Sequence, residues 1–231
     1  MLRSLLDLLL PRTCAGCGCR LALDEEHVCA ACMLTLPIET NHDWRHNRHI
    51  AEWADHEGVV AVGAFTRYTH NGIAAHIIHS LKYYRRPTLG QWMGRLAARQ
   101  LQPTGLFDGI NAIVPLPLAP RRQRRRGFNQ GELIAQGMAE ELNLPVLTGL
   151  LRRTGAFESQ THFSYAERLE NAKDAFALAD GLDLNALSGR HFLLIDDVIT
   201  TGATMLSAIN ALEQIPDARF TAFGWAWVNR G

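Results

Sequence analysis

The stretch HFLLIDDVITTGATM, residues 191–205, constrains the fold more than any other part of this sequence. Its apolar run is typical of a buried strand, but the run ends in two adjacent carboxylates, Asp196 and Asp197, which repel each other. TTGAT follows, and Gly202 allows the backbone to curl into a helix whose first N–H groups favour an anion. Ligands of open α/β sheets bind at the carboxyl ends of the strands. The stretch therefore predicts a sugar-phosphate site, with acids for vicinal hydroxyls and a loop for the phosphate.

The rest of the chain alternates predicted strands with predicted helices. The strands are expected at residues 58–66, 110–118, 144–147, 191–195 and 219–228. The helices are expected at residues 71–84 with Asn71 as cap, 88–100, 128–143 and 202–214. Such alternation indicates a parallel sheet with helices on both faces, so the predicted fold class is α/β and Rossmann-like. A P-loop is excluded, because no G-K-[ST] is present and the acids precede the glycine.

All five cysteines lie between residues 14 and 32, in the pattern CAGCGC…CAAC. Two C-x-x-C loops can place four thiolates around one zinc ion, and the predicted ligands are Cys14, Cys17, Cys29 and Cys32. A closed set of four thiolates makes that zinc structural. The alternatives are two disulfides or cysteines that merely pack, which a reducing compartment and the tight clustering disfavour. Cys19 is left over, either as a free thiol or as a competitor of Cys17.

Composition and charge set the broad class and the domain division. Apolar residues make up 47% of the 231 residues, and 23 basic residues balance 23 acidic ones, as in a soluble globular protein. The N-terminus carries Leu2, Leu5, Leu6 and Leu9 on one helical face and lacks a signal-peptide cleavage pattern. We predict a cytoplasmic protein without membrane insertion. We expect a helix and zinc module over 1–36, an exposed polar linker over 37–57, and the α/β domain over 58–231.

The basic residues are concentrated in RRQRRR, residues 121–126. Five arginines in a chain of zero net charge, beside a predicted anion site, indicate phosphate binding: Arg121, Arg122, Arg124, Arg125 and Arg126. Arginine also grips phosphate with two donors and stacks on bases, so the run could follow single-stranded DNA. The alternative is a solvated charge run. Lys82 is either a further anion contact or a lysine at the edge of the core, and Tyr83, Tyr84, Trp92 and Phe128 either stack bases or belong to the core.

FLLIDDVITTGAT resembles the phosphoribosyl pyrophosphate (PRPP) motif of type I phosphoribosyltransferases: four apolar residues, two acids and T-T-G-x-T. The resemblance implies that Asp196 and Asp197 hold the ribose hydroxyls. It also implies that the 5′-phosphate is bound by the loop residues Thr200, Thr201, Gly202, Ala203 and Thr204. In related transferases the loop that corresponds to VPLPLAPRRQRRRGF holds pyrophosphate.

Nearly the whole chain resembles the competence protein F family, also called GntX-like. The resemblance is carried by CAGC…CAAC, by VPLPLAPRRQRRRGFNQ and by LRRTGAFESQTHFSYAERLENAKDAF. It implies a four-cysteine zinc module joined to a phosphoribosyltransferase-like domain, and an association with uptake and use of external DNA. Gln160 and Arg168 match polar positions of the third segment, without an assigned chemistry.

Two functions follow from these features. The first is a competence-type protein that handles single-stranded DNA in the cytoplasm through a domain that binds PRPP or a nucleotide phosphate, in a complex with a DNA-uptake helicase or translocase. The second is a Mg²⁺-dependent phosphoribosyltransferase, in which the arginine run stabilises the departing pyrophosphate. The sequence offers no general base and no separate hood over an acceptor base, so catalytic residues cannot be assigned.

Overall fold

The computed structural model describes residues 11–84, 86–154 and 175–228. The predicted N-terminal helix with its four leucines lies outside the described residues, as do Gln160 and Arg168. None of the helices in the described ranges is long and apolar enough to cross a lipid bilayer.

A four-stranded parallel sheet forms the centre of the protein, which confirms the predicted fold class. Two strands from the end of the chain, β5 (His191–Ile199) and β6 (Arg219–Val228), lie between β1 (Val59–Tyr68) and β2 (Ala112–Pro115), in the order β1-β6-β5-β2. A separate antiparallel pair consists of β3 (Leu151–Arg153) and β4 (Phe176–Leu178). The strand expected at 144–147 is reduced to one parallel bridge between Ile113 and Val146.

Helices cover both faces of the sheet, because its central strands are apolar on both sides. The described helices are α1 (Ala30–Thr35), α2 (Arg48–Glu52), α3 (Ile73–Tyr83), α4 (Pro87–Leu101), α5 (Pro120–Arg126), α6 (Gln130–Leu142) and α7 (Ala203–Leu212). Leu193 and Ile195 of β5 belong to the core with α3, α4 and α6. Phe192 and Leu194 belong to the core with α7 and the β3–β4 pair.

The expected cap of α3 is wrong by one residue. Gly72 is the N-cap of this helix, and no side chain caps it. Asn71 instead adopts a left-handed conformation with φ of 65° in the turn that precedes the helix. Asparagine tolerates this conformation better than most residues, so it serves the turn rather than the cap.

Residues 37–57 are exposed over much of their length, as their polar composition predicts, but part of the segment packs against the sheet. The backbone N–H of Glu39 donates to Phe65 of β1 at 2.9 Å, so the segment pairs with the outer edge of the sheet. Trp44 and Trp53 are 4% and 2% exposed. The expectation of exposure is wrong at these two residues, because burying a large indole removes much apolar surface from water even in a polar segment.

The arginine run also differs from expectation, since it forms the short helix α5 rather than a loop. Pro120 occupies its first turn, and Gly127 ends it with φ of 86°. The next helix, α6, begins only at Gln130, where Asn129 accepts a hydrogen bond from Gly131 N at 3.0 Å. A helix sorts the five arginines onto different faces, whereas a loop would not.

Helices α4 and α6 approach each other closely because glycines face each other across the contact. A Cβ on Gly94 would lie 2.0 Å from the backbone oxygen of Ile134, and one on Gly137 would lie 2.0 Å from that of Gln91. Both clashes are with backbone, which cannot rotate away. Ion pairs flank the contact, with Arg95 Nη1 3.0 Å from the carboxylate of Glu140.

We expect Gly94→Ala to lower the free energy of unfolding by about 1–3 kcal/mol, because overpacking forces the two helices apart. Because the clash is with backbone, the cost lies in the upper part of this range and exceeds the gain in helix propensity from alanine, about 1 kcal/mol. Gly149→Ala, in a turn, is the control, since no atom of the described residues lies within 4 Å of the Cβ position there. Urea denaturation of both variants tests the contact, and equal stability of the two would contradict it.

Candidate functional site

The two acids lie where β5 extends beyond its shorter neighbour. Pairing of β2 with β5 ends at Pro115 and Ile195, whereas pairing of β5 with β6 continues through Asp196 to Ile199. The acids are therefore inside the last part of the strand rather than after it. Because alternate residues of a strand face opposite sides, Asp196 and Asp197 lie on opposite faces. This separation reduces their repulsion, and the missing β2 partner opens space beside them.

Each acid has its own compensation. Lys82 Nζ lies 2.8 Å from Oδ1 of Asp197, which is 9% exposed. Asp196 accepts a hydrogen bond from the backbone N–H of Asp197 at 2.8 Å. Burial and then the charge of Asp197 raise the pKa of Asp196 to about 7, against the opposing influence of Lys82 and Arg153. Asp197 thus has an ion-pair partner in Lys82, while the raised pKa leaves Asp196 partly protonated near neutral pH.

Both acids line a cavity of about 140 Å³, the acid cavity, whose other walls are cationic. Its four basic side chains come from three elements of the fold, α3, α5 and β3: Lys82, Arg122, Arg126 and Arg153. The guanidinium of Arg153 lies 4.8 Å from the ring centroid of Phe176 and donates from Nε to the oxygen of Pro117 at 3.0 Å. Burial, followed by the charge of Arg122, lowers the pKa of Arg153. A cavity with this many cations and two carboxylates suits a ligand with both phosphates and hydroxyls.

Helix α5 brings only part of the arginine run to the acid cavity. Arg122 and Arg126, four residues apart, occupy one helical face and line the cavity. The other three predicted phosphate residues lie on exposed faces of the same helix: Arg121, Arg124 and Arg125. The sequence predicted one arginine cluster, but the helix divides these arginines into an inner pair and an outer set.

Two buried donors face the acid cavity, from Arg126, a predicted phosphate residue, and from Gln130, which was not predicted. Gln130 is 1% exposed, and its Oε1 accepts from Nη1 of Arg126 at 2.7 Å. Within the described part of the chain, Nε2 of Gln130 and Nε of Arg126 are buried without a hydrogen-bond partner. Leaving a buried donor unpaired is costly, so both nitrogens suit an oxyanion in the cavity. Gln130 belongs to the RRGFNQ segment and Arg153 to the LRRTGAF segment, and the family resemblance of these segments was the only sequence signal for either residue.

The predicted phosphate loop joins β5 to α7. Gly202 has φ of 79°, and a Cβ there would lie 2.4 Å from the indole of Trp53. Thr201 is buried and accepts from the N–H of Ala203 at 3.2 Å, while Thr204 lines the acid cavity. The first-turn N–H groups of α7 have no partner within the helix itself, as at any helix start. The loop therefore offers donors beside the acids, and its position is fixed by a tryptophan of the 37–57 segment.

The cysteines converge in a compact cluster near the N-terminus. The thiols of Cys14, Cys17, Cys19 and Cys29 all lie within 4.8 Å of one another. Three of these are predicted ligands. The fourth predicted ligand, Cys32, is buried, with its Sγ 2.9 Å from the Cβ position of Gly16.

The backbone around the cysteines is arranged for thiolates. Cys14 Sγ accepts from the N–H groups of Gly16 at 3.3 Å and Cys29 at 3.2 Å. Hydrogen bonds from the backbone and then the thiol of Cys19 lower the pKa of Cys17 to about 6. The Cys17 thiol in turn raises the pKa of Cys19 to about 12. A compact group of thiols that accept N–H···S hydrogen bonds fits a metal such as zinc.

Helix α3 connects the cysteine cluster with the acid cavity. Near its middle, His76 Nδ1 lies 3.0 Å from the carbonyl oxygen of Gly16, and Ser80 Oγ donates to that of Ala15 at 3.2 Å. At its end, Lys82 holds Asp197. One helix therefore contacts both the loop between the first two cysteines and the acid at the sheet edge.

Sequence comparison places these features among known proteins. Residues 126–216 match the family model "Phosphoribosyl transferase domain". Competence protein F of Haemophilus influenzae is 31% identical over 153 residues, which cover 65% of this chain and 66% of that protein. DNA utilization protein YhgH of Escherichia coli K12 is 34% identical over 132 residues, 56% of each chain. The chain thus matches about half to two thirds of the length of these curated relatives.

Among solved structures, adenine phosphoribosyltransferase from Saccharomyces cerevisiae matches with 19% identity and a TM-score of 0.39, covering 63% of this chain and 72% of that one. A glutamine PRPP amidotransferase from B. subtilis matches with 15% identity and a TM-score of 0.39, covering 62% of this chain and 30% of that one. The sequence matches confirm the resemblance inferred from the motifs. The chain is a homologue of competence protein F and DNA utilization protein YhgH, with a phosphoribosyl transferase domain that follows a cluster of cysteines.

Proposed function

We propose that this chain is a competence-type DNA-utilization protein that handles single-stranded DNA in the cytoplasm, through a domain that binds the phosphoribose group of PRPP or of a nucleotide. Its partner is a DNA-uptake helicase or translocase. The names of the relatives support the biological context. The observation that carries the biochemical part is the acid cavity, where Asp196 and Asp197 lie among four basic side chains beside the TTGAT loop.

In the acid cavity, different residues bind different parts of a phosphoribose ligand. Asp196 and Asp197 accept hydrogen bonds from the ribose hydroxyls, and the loop Thr200, Thr201, Gly202, Ala203 and Thr204 holds the 5′-phosphate. Arg122 and Arg126 with Nε2 of Gln130 hold a second phosphate or pyrophosphate. When PRPP is bound with Mg²⁺, the cation neutralises part of the pyrophosphate charge. Carboxylates are the oxygen ligands that Mg²⁺ prefers, but Asp197 is already paired with Lys82, so most of the cation's ligands would come from PRPP.

The exposed arginines support the DNA part of the proposal. Arg121, Arg124 and Arg125 lie on the outer side of α5, whose inner side lines the acid cavity. A strand that enters the acid cavity with one phosphate would therefore pass further cations along the same short helix. Positive charge of this kind attracts any sequence, which suits a protein that handles imported DNA.

The second candidate function is the Mg²⁺-dependent phosphoribosyltransferase. It is favoured by a cavity of about 490 Å³ that adjoins Thr200 and is bounded by Glu39, His49 and Trp227, so an acceptor has room beside the loop. Isotope-traced release of pyrophosphate from PRPP, with each base in turn, separates the two functions. Binding without release supports the first, and base-dependent release supports the second.

The first expected result concerns the cysteines. We propose Cys14, Cys17, Cys29 and Cys32 as zinc ligands, so metal analysis should find about one zinc per chain. Cys14→Ser with Cys17→Ser should remove it. Cys32→Ser should also lose the zinc, whereas Cys19→Ser should retain it. Loss with Cys19→Ser and retention with Cys32→Ser would assign the fourth position to Cys19, and full occupancy in the double variant would contradict the site.

Asp196→Asn should weaken PRPP binding and stabilise the unliganded protein at high pH. The pKa of Asp196 is raised from 3.8 to about 7. Between these two pH values the folded state therefore holds a proton that the unfolded state has lost. Stability therefore falls as the pH rises through this window, and the full cost is present above pH 7. Asparagine removes the charge and can still accept from Asp197 N. Thermal melts should show a gain over wild type at pH 8 that disappears near pH 4.

The contrast variant is Asp197→Asn, which leaves half-buried Lys82 without its carboxylate. We expect this change to lower stability at pH 8, and calorimetry with Mg²⁺ present should again show weaker PRPP binding. A gain from Asp196→Asn of the same size at both pH values would refute the assigned electrostatics. Unchanged PRPP affinity in both variants would refute phosphoribose binding at these acids.

The outer arginines should govern the salt dependence of DNA binding. Each phosphate contact on a single strand contributes about 0.7 to the slope of log affinity against log salt. Replacing Arg121, Arg124 and Arg125 by alanine should therefore flatten that slope by about 2, without weakening PRPP binding. Arg122→Ala with Arg126→Ala should weaken PRPP binding as well. Arg219→Ala is the control, because this exposed arginine lies at the amino end of β6, away from the acids at the carboxyl end of β5. If the slope of log affinity against log salt is the same in wild type and in all variants, α5 is excluded from the DNA site.

A further inference from the structure

A second cavity, the α3 cavity, adjoins the acid cavity along helix α3. It measures about 370 Å³ and shares Lys82 with the acid cavity. Thr200 of the phosphate loop also lines it. Its apolar lining comes from Ala75, Ile78 and Val198. The α3 cavity is thus large enough for an organic ring and lies directly beside the charged groups of the phosphate site.

Aromatic side chains form the outer wall of the α3 cavity. His79 and Tyr83, one helical turn apart, have ring centroids 4.4 Å from each other. Tyr83 is 52% exposed, whereas Trp92 and Phe128 pack against the core. The guanidinium of Arg126 lies 5.6 Å from the centroid of the Tyr83 ring. The exposed ring of Tyr83 therefore lies next to Arg126, which lines the acid cavity.

The polar groups of the α3 cavity suit the edge of a heterocycle. His76 lines it, and the contact of its Nδ1 with the carbonyl oxygen of Gly16 requires the proton to be on Nδ1. The neutral ring then keeps Nε2 as an acceptor. His70 and Asn71 add further groups that can donate or accept. Such a mixed set permits hydrogen bonds with several bases rather than one.

We propose that the α3 cavity is a nucleobase site, in which the base stacks on Tyr83 and His79 while its phosphate lies at Lys82 and Arg126. The proposal rests on the phosphate site of the proposed function and adds the recognition of the base. A flat ring fits the aromatic wall, and only a ring that carries a phosphate uses the adjoining cations. The base belongs either to a free nucleotide or to a single strand of DNA, because both present the same chemistry.

The test compares DNA with and without bases. Two labelled strands of roughly 12 nucleotides are used, oligothymidylate and an abasic strand with the same number of phosphates. Wild-type protein should bind oligothymidylate more tightly, as measured by fluorescence anisotropy. Tyr83→Leu should reduce the affinity for oligothymidylate by roughly 5- to 150-fold, the value of stacking one base, and leave the abasic strand and the salt slope unchanged.

Two variants make the result specific to the Tyr83 ring. Tyr83→Phe keeps the aromatic face and should retain the preference for bases. Tyr84→Leu is the matched control, because Tyr84 is 64% exposed on the same helix end and does not line the α3 cavity. Equal binding of the two strands by wild type would overturn the proposal. So would an equal loss for both strands in Tyr83→Leu, or the same loss in Tyr84→Leu.

A second arm distinguishes the base site from DNA handling. Binding of thymidine 5′-monophosphate is compared with that of deoxyribose 5-phosphate by calorimetry. If no strand binds but the nucleotide binds better than the sugar phosphate, and Tyr83→Leu removes the difference, the base site stands and the DNA function fails. If the nucleotide has no advantage and wild type does not distinguish the strands, the base site fails, even where the acid cavity still binds PRPP.

Discussion

The ion pair between Lys82 and Asp197 is the interaction on which the candidate site depends. A strand that is buried on both faces cannot present two neighbouring carboxylates unless their charge is balanced. The pair neutralises one acid at a distance of 2.8 Å and joins the end of α3 to the end of β5. The other acid is then left with a raised pKa of about 7. A ligand whose hydroxyls donate hydrogen bonds to the acids would therefore stabilise their charge.

Lys82 of the same pair lines both cavities, whereas Asp197 lines the acid cavity. Because Lys82 lines the acid cavity and the α3 cavity, a ligand in either one changes its surroundings. Arg126 has a comparable position, with Gln130 on one side and the Tyr83 ring on the other. A phosphate and a ring can therefore be held next to each other by two cations that are already fixed in place.

The sequence predicted the elements that depend on local pattern, and missed those that depend on packing. Apolar runs located β5 and β6, and the TTGAT motif located the turn at Gly202. The burial of Trp53 under that glycine could not be predicted, because the surrounding segment is polar and the indole's partner lies about 150 residues away in sequence. Helix α5 was missed for a different reason. Five arginines suggest repulsion rather than a helix, and only Pro120 and Gly127 mark its ends.

The cysteine cluster contributes to the site through α3 rather than through its own surface. The buried apolar residues of this segment, among them Leu21, Val28 and Leu36, belong to the same core as α3 and α4. The loop between Cys14 and Cys17 presents the carbonyl oxygens of Ala15 and Gly16 to Ser80 and His76 of α3. These two contacts anchor α3 to the cysteine loop. Lys82 lies at the end of the same helix, so α3 joins the cysteine loop to the acids at the end of β5.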